Sequence, residues 1–153
     1  MQPQKQQKMK DPRYAQSGEA LEVRSTYYDR DPYPKYFEIV VEPNQPGTVL
    51  YENGTEEISE IKRIRLKGHP DVKVNVLRTK DNQDQTAFEQ RRLGDLPVID
   101  GWRTIEFRKV SADVPLIIEK NQKIQVQLNH ALVGNQLVVV DIDKQAVRFY
   151  LAR

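Results

Sequence analysis

The chain contains no cysteine. That rules out a disulfide-stapled fold, a thiolate-ligated metal and a cysteine nucleophile. Histidine is nearly absent too: His69 and His130 are the only two, and they form neither a His-x-His nor a His-Glu-x-x-His spacing. Glycine is sparse at 7 of 153 residues, each near a turn signal, so there is no Gly-rich phosphate loop. The four serines (Ser17, Ser25, Ser59 and Ser111) include none in a Gly-x-Ser-x-Gly elbow. No apolar run reaches the roughly 18 residues of a membrane span, and the opening MQPQKQQKMK lacks the apolar stretch of a secretory signal. These gaps argue against an enzyme, leave no cofactor or metal to expect, and point to synthesis in a cytoplasm without secretion.

What is present divides into an arm and a body. Residues 1–18 are rich in Gln and Lys, carry Pro3 and Pro12, and have almost no apolar side chains. A segment like this cannot bury enough area to offset its ordering entropy, so it needs a partner to hold it. The whole chain has net charge +2, with 24 bases and 22 acids. Residues 1–16 hold Lys5, Lys8, Lys10 and Arg13 against Asp11, a net of +3; the remainder, 20 bases against 21 acids, nets −1. The positive charge is therefore concentrated in the arm, which makes Lys5, Lys8, Lys10, Arg13 and the adjacent Tyr14 candidate partner-binding residues. Acidic protein surface and nucleic acid both fit that charge.

Residues 19–153 read as one all-β domain, since 153 residues suffice for a single core and are too few for two. Val114 to Leu128 (VPLIIEKNQKIQVQL) sets the pattern: an apolar run, a polar turn at Glu119–Gln122, then strict alternation. Ile124, Val126 and Leu128 fall on one face and Lys123, Gln125 and Gln127 on the other, which predicts two antiparallel strands joined by a tight turn. Further strands are expected over Leu21–Tyr27, Tyr36–Glu42, Thr48–Glu52, Thr55–Ser59, Ile61–Lys67, Val72–Arg78, Trp102–Lys109, Gln136–Ile142 and Ala146–Ala152. Asn53-Gly54 is the strongest hairpin signal, because a type I′ turn wants positive φ at both positions. Gly68–Asp71 and Asp143–Gln145 read as further turns. Thr79–Arg92 shows no period of two and is expected to be a polar excursion with one helical turn near Gln85–Arg91. Many short strands at regular spacing predict an antiparallel two-sheet sandwich, jelly-roll-like first and immunoglobulin-like second.

Candidate contacts on the body are few. Tyr27, Tyr28, Tyr33 and Tyr36 crowd into ten residues with Pro32 and Pro34, a rigid aromatic loop suited to a protein or ligand surface. Lys62, Arg63, Arg65, Lys67 and Lys73 make the hairpin around Gly68 basic on its exposed side, which serves mainly to solvate it. Trp102 reads as a core or rim anchor, and His69 and His130 as turn residues. Asp141 and Asp143 share one side of a strand and Asp81 and Asp84 share a loop, but neither pair brings enough companions for a hard cation.

In layout (a short polar arm, a compact many-stranded sandwich, no cysteine, no active-site cluster) the whole chain resembles the small jelly-roll virion proteins of bacteriophages, the penton, cement or decoration type. The resemblance carries no diagnostic motif and transfers no functional residues. It implies a structural subunit located in the virion, forming a homo-oligomer or a repeated lattice position and contacting a major capsid protein. The alternative is a glycan- or receptor-binding sandwich that uses the Tyr27–Tyr36 loop.

Overall fold

The computed structural model describes residues 21–26, 35–54, 56–110 and 115–151. The arm candidates Lys5, Lys8, Lys10, Arg13 and Tyr14, and Tyr27, Tyr28 and Tyr33 of the aromatic loop, lie outside the described residues.

Among the described residues, eleven strands form two antiparallel sheets. The larger holds β1 (Leu21–Thr26), β2 (Tyr36–Val41), β4 (Ser59–Lys67), β7 (Val98–Ile99), β8 (Trp102–Glu106), β9 (Leu116–Ile118) and β11 (Gln136–Leu151). The smaller runs β3 (Gly47–Glu52), β10 (Lys123–Asn129), β5 (Lys73–Lys80), β6 (Gln83–Arg92). Strands β1 and β2 lie end to end along the same side of β11, Thr26 opposite Ala146 and Tyr36 opposite Asp141, and so act as one interrupted edge strand. Counted that way, the larger sheet reads edge strand, β11, β4, β8, against β3, β10, β5, β6 in the smaller. Among the described strands the chain changes sheet at every connection except four: the link between β1 and β2, the β5–β6 and β7–β8 hairpins, and the link through the single helical turn α1 (Phe107–Val110) to β9. This is the strand order and winding of a jelly roll.

The core is made by alternation. Along β10, Ile124, Val126 and Leu128 are fully buried while Lys123, Gln125 and Gln127 face outward. Val74 and Val76 on β5 and Val49 and Tyr51 on β3 lie beside them. From the larger sheet, Ile64, Leu66, Val138, Val140 and Ile142 complete one apolar cluster. Each such side chain contributes on the order of 1.5–3 kcal/mol by leaving water.

Three expected hairpins are sheet crossings instead. The Gly68–Asp71 turn takes the chain from β4 to β5, Glu119–Gln122 from β9 to β10, and Asn53-Gly54 from β3 to β4. Asn53 does not adopt positive φ. Its side chain is buried and donates to the carbonyls of Ile118 and Glu57, both at 3.3 Å. Its backbone bonds to the other crossing, Asn53 N–H to Gln122 O at 3.0 Å and Asn121 N–H to Asn53 O at 2.8 Å. The two crossings thus satisfy each other's backbone at one end of the sandwich.

The real two-residue hairpin is at Asp81-Asn82, with φ of 53° and 60°. Thr79–Arg92 is therefore neither an excursion nor helical: β5 runs to Lys80 and β6 fills Gln83–Arg92. Its period of two is hidden because only Phe88 of β6 is buried and the register against β5 slips twice. Asp143–Gln145 does not turn either. Strand β11 continues for 16 residues, accommodating an irregularity where Asp143 faces Arg63 and Lys144 faces Ile61. Trp102–Lys109 ends as a strand at Glu106, and the buried Phe107 opens the turn of α1.

Candidate interaction face

The outer face of the larger sheet brings together residues that lie far apart in sequence. Strands β2, β11, β4 and β8 lie side by side, so alternate residues of each form one surface. At one side, Val40 of β2 stands opposite Leu137 of β11, and the two are 58% and 56% exposed. Tyr36, 54% exposed, lies on the same face of β2 and donates its hydroxyl to Glu38 Oε1 at 3.3 Å. Its phenol titrates above the ordinary tyrosine value, first through desolvation and then through the nearby charges of Glu38 and Asp141. It is therefore a neutral donor at physiological pH.

Toward the middle of the face, charges alternate in register. Arg65 directs Nε (2.9 Å) and Nη2 at Asp141 Oδ2, and Arg63 Nε lies 3.1 Å from Asp143 Oδ2. The Arg63 contact is an ion pair without hydrogen-bond alignment. Beyond them the half-buried Trp102 ring lies under two cations, Lys67 Nζ at 4.3 Å and Arg65 Cζ at 5.1 Å from its centroid. Arg65 thus joins the aromatic to the carboxylate and holds both in place. The face presents aromatic, aliphatic and arginine groups together, the composition enriched at protein–protein contacts.

The structure resolves the other candidates. Lys62, Arg63 and Arg65 are matched by Glu60, Asp143 and Asp141, and Lys73 belongs to the other sheet, so there is no continuous basic strip around Gly68. Asp141 and Asp143 do share a side, and each is committed to an arginine. Asp84 accepts from Thr79 (2.6 Å) and Gln125 (3.2 Å). Trp102 is a rim residue stacked with cations. Among the described residues, no three His, Cys, Asp or Glu side chains are placed to hold a metal ion.

His130 is more than a turn residue. It is buried, Nδ1 accepts from Leu132 N–H at 3.1 Å, and Nε2 lies 2.7 Å from the Val41 carbonyl. That pattern sets a neutral ring with the proton on Nε2, tying the β10–β11 loop to the end of β2. Beside it an open cleft of about 640 Å³ runs between Pro46, Leu132, Lys73 and the Arg92–Asp71 ion pair. Sequence reading also missed Glu60, a fully buried carboxylate that receives Arg108 Nε and Nη2 at 2.6 and 2.7 Å. Nothing local in the strand pattern marks it, because its partner arrives on α1, 48 residues later.

Compared with protein-family models and with curated proteins, the chain matches none.

Proposed function

We propose that this chain is a structural assembly subunit that oligomerises and docks on a larger shell protein, of the penton, cement or decoration kind in a bacteriophage virion. The observation that carries this reading is the outer face of a jelly roll on which Tyr36, Val40 and Leu137 remain about half exposed beside a fixed Trp102–Arg65–Asp141 array. Large apolar side chains clustered on a sheet face are the mark of a surface that another chain covers. The leader, with Lys5, Lys8, Lys10 and Arg13, supplies a charged tether toward acidic partner surface or nucleic acid. On this reading the protein is not an enzyme, needs no cofactor, and resides in the virion.

Fold alone does not decide this, since jelly rolls also serve as lectins. The exposed Tyr36 ring supports the alternative of glycan or receptor binding through the Tyr27–Tyr36 segment. Deleting residues 1–16 separates the two. An assembly subunit keeps its thermal transition but loses incorporation into the particle, whereas a glycan-binding module keeps ligand binding. Full incorporation by the truncated chain would remove the arm from the proposal.

A further inference from the structure

The two flanks of the sandwich are built differently. On one, β6 is protected against strand pairing by exposed Asp84, Glu89, Arg91 and Arg92 and by two register slips, and β7 is only two residues long. On the other, β2 (YFEIVV) is aromatic and β-branched, regular in register, with Glu38 its only charge. It pairs with β11 on one side only.

The orientation of its free groups follows from one hydrogen bond. Ile142 N–H donates to Lys35 O at 2.8 Å, so Lys35 and the odd-numbered residues of β2 direct their backbone toward β11. The N–H and C=O groups of Tyr36, Glu38 and Val40 then point to the open edge, where no described residue meets them. We propose that a second copy of this chain pairs there, β2 antiparallel to β2 about a two-fold axis, joining the two larger sheets into one. This goes beyond the assembly reading, and rests on it only in expecting that the chain self-associates.

Register selects the seam. With the two-fold at Glu38, the two carboxylates would face each other directly, which is unfavourable. With the two-fold at Ile39, Glu38 and Val40 exchange both backbone hydrogen bonds with Val40 and Glu38 of the second copy, and no like charges are opposed. In the same register the Tyr36 hydroxyl meets the Glu42 carboxylate of the second copy, a donor against an acceptor. The half-exposed Val40 of each copy, flanked by its own Leu137, then lies diagonally across the joint from Val40 of the other. The central Ile39 pair is non-hydrogen-bonded, with Cα atoms about 4.5 Å apart, within disulfide reach.

Because the chain has no cysteine, a single Ile39→Cys substitution in the full-length protein reads this directly. Mild oxidation should link most of the protein as a dimer, while Glu89→Cys on β6 stays unlinked. Val40→Lys, at an exposed position, should raise the dimer dissociation constant at least tenfold with the thermal transition unchanged. If wild type associates but Ile39→Cys does not cross-link and Val40→Lys has no effect, the seam is wrong and the assembly reading stands, the contact being the arm or another face. If wild type stays a monomer at every concentration, both fail.

Discussion

Asn53 and Glu60 show how much of this molecule depends on single buried polar groups. Asn53 Nδ2 serves the carbonyls of both Ile118 and Glu57, and no apolar residue can replace it. Asn53→Ala should therefore cost about 1–3 kcal/mol in urea unfolding, the range for stranding buried acceptors. Asn75→Ala, which loses a 2.8 Å bond to Gln127 on the outer face, should cost under about 1 kcal/mol. The Glu60–Arg108 pair is asymmetric: Glu60 is fully buried, whereas the Arg108 side chain is 43% exposed. Removing arginine takes two charge-assisted bonds from a buried carboxylate and leaves Lys62 at 3.5 Å, so Arg108→Ala should destabilise by about 1.5–3 kcal/mol. Glu60→Gln should cost less, because the guanidinium can reach water. Equal losses in the two variants would contradict this account of the pair.

At the scale of elements, most strands were legible, Thr55–Ser59 excepted since β4 begins only at Ser59, and strand partnership was not. The alternation of Ile124, Val126 and Leu128 and of Val72, Val74 and Val76 predicts strands whose inward faces the structure confirms. Alternation reports which face is buried, and says nothing about which neighbour lies alongside. Asn53-Gly54 therefore reads as a hairpin although its asparagine serves a crossing, while the true hairpin at Asp81-Asn82 lacks the glycine that signals one. Strand β6 escaped notice because an edge strand with one buried residue has no pattern to read. The hairpin makes its own prediction. Asn82, at φ 60°, should accept glycine with a change of under about 0.5 kcal/mol. Asn82→Val should cost about 1–2 kcal/mol, because a β-branched residue resists the left-handed region. In the core, Ile124→Ala should cost about 2–5 kcal/mol, since β10 is the central strand where both neighbours and the opposite sheet pack. Equilibrium unfolding of the set ranks them.

For the whole molecule, the candidate face was only partly visible in the sequence. Tyr36 could be named from the aromatic crowding around it, and of the two placements open to Trp102, core or rim, the structure has the rim. Their shared surface could not be seen, because it exists only once β11 sits between β2 and β4 and carries Leu137 and Asp141 to them. Long-range pairing assembles the face, as it does the core. On the proposed reading, a sheet that leaves Val40 and Leu137 uncovered gains by being covered. Analytical ultracentrifugation of the full-length protein across a hundredfold range of concentration tests that most directly. A discrete species at a small multiple of the protomer mass, growing with concentration and lost on Val40→Lys, is the predicted result; a single protomer mass throughout would contradict the account.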